Sequence, residues 1–251
     1  MQEYKFDKQK YTEILKNALD SGYQISPIKD CETSSKPLQM LLRHDIDFSL
    51  EYAYEMAVLE NSLSVRSTYY ILLYNNFYNP LSPNSRNIIR QIAAMGHEIG
   101  IHWDSSLYSK VNLQNSFELD LKLLSGISGQ PVISASQHIP IDSPFFDVTQ
   151  YIQYEAYLSP IFKKYRYVSD SAMTWRDCTP EDIIAQKQNF QFLAHPIWWM
   201  APGVNSESKL QSLTGISTSV LGKDIQEFTA YMQKCLQERR NLDEKYKLAR
   251  S

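Results

Sequence analysis

The stretch Leu41-Leu42-Arg43-His44-Asp45-Ile46-Asp47 decides how the rest of the chain is interpreted. An apolar run that stops at charged residues is typical of a buried parallel strand whose carboxyl end opens into a polar site. Successive side chains of a strand alternate between faces, so Asp45 and Asp47 point the same way. Two neighbouring carboxylates need a cation or a shared proton. Alternatively, one aspartate caps the next helix and the other pairs with Arg43.

Length and composition favour one large α/β domain over residues 1–251, because no linker rich in Gly, Ser or Pro divides the chain. The 25 basic and 28 acidic residues give a net charge of −3, and neither sign forms a long block. Charge therefore gives no indication of a nucleic acid or an anionic membrane as partner.

Cysteine use and the amino terminus indicate the compartment. Cys31, Cys178 and Cys235 are odd in number, far apart and without zinc-finger spacing, which is typical of reduced thiols. The first eight residues carry charge where a signal peptide would be apolar, and no apolar run reaches membrane-spanning length. We expect a cytoplasmic protein without membrane insertion.

Strands and helices alternate along the chain, which predicts a mainly parallel βα barrel or an open sheet. Strands are predicted to end near Asp47, Leu73, His102, Ser136, Ser169 and Ala194, with helices at about 49–61, 83–95, 113–124 and 182–188 between them. A helix at about 7–21 precedes this pattern and another at about 223–247 closes it, and both are expected to pack on the sheet.

Polar residues follow most of the predicted strands. Carboxyl ends of parallel strands share one rim, so these residues are expected to surround one pocket. Two carboxylates with two or three imidazoles can hold a divalent metal and leave a general base and a general acid. His44 falls on the opposite strand face from Asp45, and His97 falls on the opposite face from His102. We interpret both histidines as structural. The candidates are Asp45, Asp47, His102, His138, Asp170 and His195.

Three motifs together resemble the polysaccharide deacetylase family, carbohydrate esterase family 4. They are the stretch 41–47, Gly-His-Glu-Ile-Gly-Ile-His at 96–102, and Leu-Ala-His-Pro at 193–196. Within the family the chain is similar to a branch found in gene clusters for bacterial surface polysaccharides. The resemblance implies a distorted (β/α) barrel with a zinc-like ion. It implies Asp45 as catalytic base, Asp47 and His102 as metal ligands, and His195 as general acid.

The chain departs from the family pattern at two places. The second ligand histidine of the family would fall at position 106, which is Ser106, and the third motif has Gln137-His138-Ile139-Pro140 where the family has an arginine that orients the base. One hypothesis makes His138 the third metal ligand. Asp104, on the same face as His102, is the rival.

The residues and the resemblance together predict a metal-dependent enzyme, with Zn²⁺ as the expected divalent ion. It would remove an N-acetyl group from a sugar precursor or glycan intermediate of surface polysaccharide biosynthesis. Trp175 and Trp198 are candidate substrate-binding residues, because aromatic faces stack on sugar rings; aromatic core packing is the alternative for each. Asp170, at a predicted strand end, is a third candidate for substrate binding. Two other functions stay open. One is hydrolysis of a different small amide such as a cyclic ureide, and the other is glycan binding without catalysis.

Overall fold

The computed structural model describes residues 4–33, 36–109, 111–138, 146–158 and 161–216, with residues 219, 222 and 230; the side chain of Phe162 is not described. The chain forms two compact units, one up to Leu210 and one from Gln211 onward. All residues discussed below belong to the first unit. The predicted helix at 223–247 lies outside the described residues except for Ala230, and one domain over 1–251 stays a prediction.

The first unit is built on a sheet of eight parallel strands. The order across the sheet is β6-β5-β4-β3-β2-β8-β7, and β1 pairs with the first half of β2. No pairing joins β6 to β7 within the described ranges, so the sheet forms part of a barrel. The strands are β1 (Gln24–Ser26), β2 (Gln39–Ile46), β3 (Thr68–Leu72), β4 (Glu98–Trp103), β5 (Ser134–Gln137), β6 (Tyr154–Glu155), β7 (Arg166–Ser169) and β8 (Phe190–Leu193).

Helices precede and separate the strands. Ser49 caps the helix after β2 by accepting a hydrogen bond from the N–H of Tyr52, and Thr179 forms a capping box with Asp182. Among the described residues no helix is both long and apolar enough to span a membrane. The helices are α1 (Lys8–Asp20), α2 (Leu50–Ser62), α3 (Pro83–Ala94), α4 (Leu113–Ser128), α5 (Ile161–Lys164), α6 (Pro180–Gln186) and α7 (Pro196–Met200).

Most predicted elements are confirmed within a few residues, including α1. The short strands β1 and β6 and the helices α5 and α7 were not predicted, because segments of two to five residues carry no readable periodicity. β2 also continues through Asp45 to Ile46, so Arg43, His44 and Asp45 are strand residues.

Strand alternation sorts the side chains onto two faces. Ile46, Tyr69 and Ile101 face the core beneath α2, α3 and α4, while Leu41 and Tyr70 belong to a second cluster. Tyr70 fits there only because β4 has glycine beside it. A Cβ built on Gly100 would lie 2.3 Å from the Tyr70 ring. The inner face therefore carries large and charged groups up to the carboxyl ends of the strands.

Candidate active site

A cavity of about 820 Å³ opens at the carboxyl ends of the strands. Its lining includes five of the six polar residues predicted near strand ends, which come from β2, β4, β5 and β8 or the segments that follow them. The strand order thus brings together groups that are remote in sequence. These five residues are Asp45, Asp47, His102, His138 and His195.

The two oxygens of Asp45 lie in different surroundings. Oδ2 accepts a hydrogen bond from Ser136 Oγ at 3.1 Å and lies 3.5 Å from Arg43 Nη2. Oδ1 is buried and has no hydrogen-bond partner within the described part of the chain. A carboxylate held through one oxygen, with the other free at a cavity, is suited to accept a proton.

Arg43 is fully buried, and its guanidinium group lies 4.4 Å from the ring centroid of Tyr157. Its Nη1 donates to Ser136 Oγ at 3.1 Å, so Arg43 supports Asp45 directly and through Ser136. The sequence contained the signal, since residues 43 and 45 share a strand face. Pairing of Arg43 with an aspartate was the alternative interpretation, and the structure shows it for Asp45. The contact of Ser136 with Asp45 was not predicted.

Asp47, His102 and His138 form a cluster that could hold a metal ion, since one ligand atom from each lies within 4.8 Å of the others. The Nδ1–H of His102 donates to the carbonyl of Ser136 at 2.8 Å, which leaves Nε2 as the ligand atom 3.2 Å from Asp47 Oδ1. Asp47 Oδ1 is buried without a hydrogen bond in the described structure. One carboxylate and two imidazoles are a donor set that suits Zn²⁺.

The charges around this cluster favour a cation. Burial would lower the pKa of His102, but the carboxylates of Asp45 and Asp47 raise it above its ordinary value. Burial would raise the pKa of Asp47, but His102 and His195 hold it below its usual range. Burial lowers the pKa of His138, and repulsion from His102 lowers it further.

Asp104, the rival ligand, lies outside the three-residue cluster. Its Oδ1 accepts hydrogen bonds from the backbone N–H and the hydroxyl of Ser106, at 2.9 and 2.6 Å. Its Oδ2 is 4.0 Å from Nδ1 of His138. Asp104 therefore lies near His138 but too far from its Nδ1 for a hydrogen bond.

His195 is held by a buried carboxylate. Its Nδ1 lies 2.6 Å from Oδ1 of the fully buried Asp170, whose Oδ2 accepts from the indole N–H of Trp199 at 2.6 Å. Burial would lower the pKa of His195, but Asp170 raises it to about 9. The imidazole is therefore charged at neutral pH. Its Nε2 lies 3.7 Å from Asp47 Oδ2.

The three predicted substrate-binding residues have different positions. Trp198 lines the cavity, and its indole Nε1 is buried without a partner in the described ranges. Asp170 is not among the lining residues. Its carboxylate is fully buried and contacts Nδ1 of His195, which supplies one of the donors that a buried carboxylate needs. Trp175 is not among them either, and its ring stacks on Phe6 at 5.3 Å. The core-packing interpretation therefore describes Trp175.

His44 and His97 lie on the other side of the sheet, as expected. His44 Nε2 is 2.7 Å from Glu60 Oε1, and its Nδ1 is 2.9 Å from the carbonyl of Ala194. His97 Nδ1 is 3.6 Å from Glu60 Oε2. Both histidines belong to a buried network outside the cavity.

No family model matches the sequence. No curated protein matches it either. Solved structures do match. The Streptococcus pyogenes deacetylase PplD in complex with acetate is 11% identical with a TM-score of 0.50, over 71% of this chain and 85% of that one. The Xyl-CE4 domain of a multidomain xylanase from the hindgut metagenome of Trinervitermes trinervoides is 16% identical with a TM-score of 0.44, over 76% and 85%. The chitin deacetylase from the fungal pathogen Colletotrichum lindemuthianum is 14% identical with a TM-score of 0.43, over 73% and 79%.

At these identities the likeness shows the fold. The protein has the distorted (β/α) barrel of the polysaccharide deacetylase type, with an incomplete parallel sheet and flanking helices. The polar side chains described above lie at the carboxyl ends of its strands, where barrels of this kind place their active sites.

Proposed function

We propose that the protein is a metal-dependent hydrolase that removes an N-acetyl group from a sugar precursor or glycan intermediate. The observation that carries the proposal is the convergence of three functions on one cavity. A carboxylate with a free oxygen (Asp45), a charged imidazole (His195) and a possible metal site (Asp47, His102 and His138) all line it. Similarity of fold to known deacetylases supports the same reaction class.

Each residue has a role set by its geometry. Asp47, His102 and His138 would hold a divalent ion, Zn²⁺ by their donor types, which when bound supplies Lewis-acid polarisation of the acyl carbonyl and acidifies a water. Asp45 accepts the proton of the attacking water at Oδ1, since Oδ2 is held by Ser136 and Arg43. His195 donates a proton from Nε2 to the departing amine while Asp170 stabilises its charge. Cleavage of the C–N bond then yields a carboxylate and a free amine.

The substrate is proposed to be a carbohydrate intermediate of surface polysaccharide biosynthesis, processed in the cytoplasm. The substrate class rests on the sequence motifs, and the cytoplasmic location rests on cysteine use that is typical of reduced thiols. The aromatic groups of the cavity, Phe48, Tyr157, Tyr167 and Trp198, suit the C–H faces of sugar rings.

The direct test measures bound metal and amine release from a panel of N-acetylated sugars, oligosaccharides and sugar nucleotides. We expect release that depends on added Zn²⁺ and is lost in Asp45→Asn and His195→Ala. Activity found only with other small amides, such as cyclic ureides, would show that the substrate is such an amide and not an N-acetylated sugar. Sugar binding that is unchanged by Asp45→Asn, without turnover of any compound, would instead identify a glycan-binding protein.

A further inference from the structure

Side chains close the open side of the barrel. β6 and β7 are the edge strands of the sheet, and no backbone pairing joins them in the ranges between residues 4 and 216 that the structure describes. The rings of Tyr157, which follows β6, and Tyr167 on β7 meet edge to face with centroids 5.9 Å apart. Gln191 on β8 donates through Nε2 to the carbonyl of Ala156 at 3.2 Å. These contacts make the connection that strand pairing does not make.

Arg43 reaches this closure from the middle of the sheet. Its guanidinium carbon lies 4.4 Å from the ring centroid of Tyr157 and 6.0 Å from that of Tyr167. A guanidinium group over an aromatic ring at the shorter distance makes a cation–π contact, which is stronger when the cation is removed from water. Because Arg43 is fully buried, its contact with Tyr157 is of the stronger kind.

Hydrogen bonds alone hold the guanidinium group loosely toward the catalytic base. Nη2 of Arg43 lies 3.5 Å from Asp45 Oδ2, at the outer limit of a hydrogen bond. Nε is buried and has no hydrogen-bond partner among the residues described. A small shift of the group would therefore end its contact with Asp45. Stacking on the Tyr157 ring restrains that shift.

Two buried side chains fix the peptide group that leads into Tyr157. Its N–H, from Tyr157, donates to Oε2 of Glu155 at 2.7 Å, and its carbonyl, from Ala156, accepts from Gln191. Glu155 and Gln191 are buried, so water competes little for these bonds. β6 ends at Glu155, and these two side chains therefore set the direction of the Tyr157 ring where the strand no longer does.

We propose that Tyr157 is a positioning residue of the active site: its ring holds Arg43, and through Arg43 it fixes the orientation of Asp45. The inference rests on the proposed function and adds that catalysis depends on the side-chain closure of the barrel. Tyr157 also lines the cavity, so direct contact with the substrate is the competing role.

A double-mutant cycle between Tyr157 and Arg43 separates the two roles. We expect Tyr157→Leu, which removes the flat ring, to lower kcat about tenfold with KM changed by less than about twofold. Tyr157→Phe keeps the ring and should keep kcat. In Arg43→Lys, which has no planar group to stack, adding Tyr157→Leu should lower kcat by less than about twofold more. A rise in KM alone, or the full loss in both backgrounds, would overturn the proposal.

Variants of the same segment provide the controls. Tyr154→Leu makes the same change on β6, where the ring packs against a cluster that contains Ile28 and Cys31, and it should keep kcat. Glu155→Ala should reproduce the loss of Tyr157→Leu, whereas Glu155→Gln keeps an acceptor for the N–H of Tyr157 and should keep kcat. An equal loss of kcat in Tyr154→Leu would contradict a role specific to Tyr157.

A measurement on Arg43 itself separates this inference from the proposed function. In isotope-labelled protein, the nuclear magnetic resonance signal of the Arg43 Nε–H is identified by its loss in Arg43→Lys. Its exchange with water reports how firmly the buried group is held, and we expect exchange about tenfold faster in Tyr157→Leu but unchanged in Tyr157→Phe. This result would support the positioning role even if no N-acetylated compound were hydrolysed. Equal exchange in Tyr157→Leu and the wild-type protein would overturn it.

Discussion

His138 is the residue whose assignment matters most for the metal site. We propose it as the third ligand, because the fold brings it within 4.8 Å of ligand atoms of Asp47 and His102. A divalent ion held by one carboxylate and one imidazole alone would bind weakly. We therefore expect His138→Ala to lower the affinity for Zn²⁺ at least as much as His102→Ala does, by about 10-fold or more.

Two variants serve as controls in this metal titration. Asp104→Asn should keep most of the affinity, because its carboxylate lies 4.0 Å from His138 Nδ1, beyond hydrogen-bond distance. His195→Ala should bind metal normally but lose turnover, because it removes the proton donor. Full affinity in His138→Ala together with loss in Asp104→Asn would transfer the ligand role to Asp104.

Arg43 has a separate role at the same scale, the orientation of Asp45. A lysine at this position keeps the buried charge but cannot reach both Ser136 and Asp45 with a planar group. We expect Arg43→Lys to lower kcat by about 10- to 100-fold, since small misplacements of a catalytic group have effects of this order. Zn²⁺ affinity should be unchanged. Steady-state kinetics and metal titration on protein shown to be folded by its thermal unfolding provide the check.

Ser136→Ala is the matched variant for this prediction. It removes the other donor to Asp45 Oδ2 without changing charge, so its loss of kcat should be smaller than that of Arg43→Lys. Full kcat in Arg43→Lys would show that Asp45 needs no orienting guanidinium group.

At the scale of elements, Glu60 connects α2 to its neighbours. Its carboxylate accepts from the hydroxyl groups of Tyr11 on α1, Ser67 just before β3 and Tyr69 on β3, and it pairs with His44 on β2. Both ring nitrogens of His44 face acceptors, so donating to both requires the doubly protonated ring. The result is a buried ion pair.

Removal of one partner from this pair should be strongly destabilising. We expect Glu60→Gln to lower the free energy of unfolding by about 3–5 kcal/mol, because it leaves a buried charge uncompensated. Urea denaturation at pH 7 measures the change. Glu55→Gln, on the exposed side of the same helix, is the control and should change stability by less than about 0.5 kcal/mol. A similar small effect of Glu60→Gln would contradict the ion pair.

The same carboxylate predicts part of the acid sensitivity of the fold. Burial would raise the pKa of Glu60, but His44 and the surrounding donors lower it to about 2, against an ordinary value of 4.5. Because the folded-state pKa is depressed, its contribution to stability is present above about pH 4.5 and is lost as pH falls toward 2. Between pH 5 and pH 3, Glu60→Gln should therefore lose less stability than the wild-type protein. An identical loss in both would contradict the assignment.

For the whole molecule, the candidate metal site joins three parts of the sheet. Asp47 follows β2, His102 lies on β4, and His138 follows β5. An ion that binds only the folded state at 100 times its Kd stabilises it by about 2.7 kcal/mol, which corresponds to a rise in Tm of about 5–10 °C for a protein of this size. Calorimetry with Zn²⁺ and with a chelator should show this difference. It should shrink in His138→Ala, and equal Tm values for the wild-type protein would contradict a metal site.

Much of this arrangement could be predicted from sequence because it depends on local patterns. The alternation along β2 places Asp45 inward and His44 outward, and Ser49 caps the next helix as its side chain predicts. The positions of His102, His138 and His195 near strand ends follow from the same reasoning. The family motifs add roles for these residues, which stay predictions until the variants are measured.

The tertiary structure decided what depends on strand order and loop conformation. Asp170 meets His195 because β7 lies beside β8, and Ser136 on β5 reaches Asp45 on β2 across the inner face of the sheet. The loop after β3 contacts the end of β2 through the Asn75 side chain, which donates to the carbonyl of Asp47 and accepts from the N–H of Phe77. Local periodicity reports which face a side chain occupies, but contacts between segments remote in sequence arise only from the packing of the whole sheet.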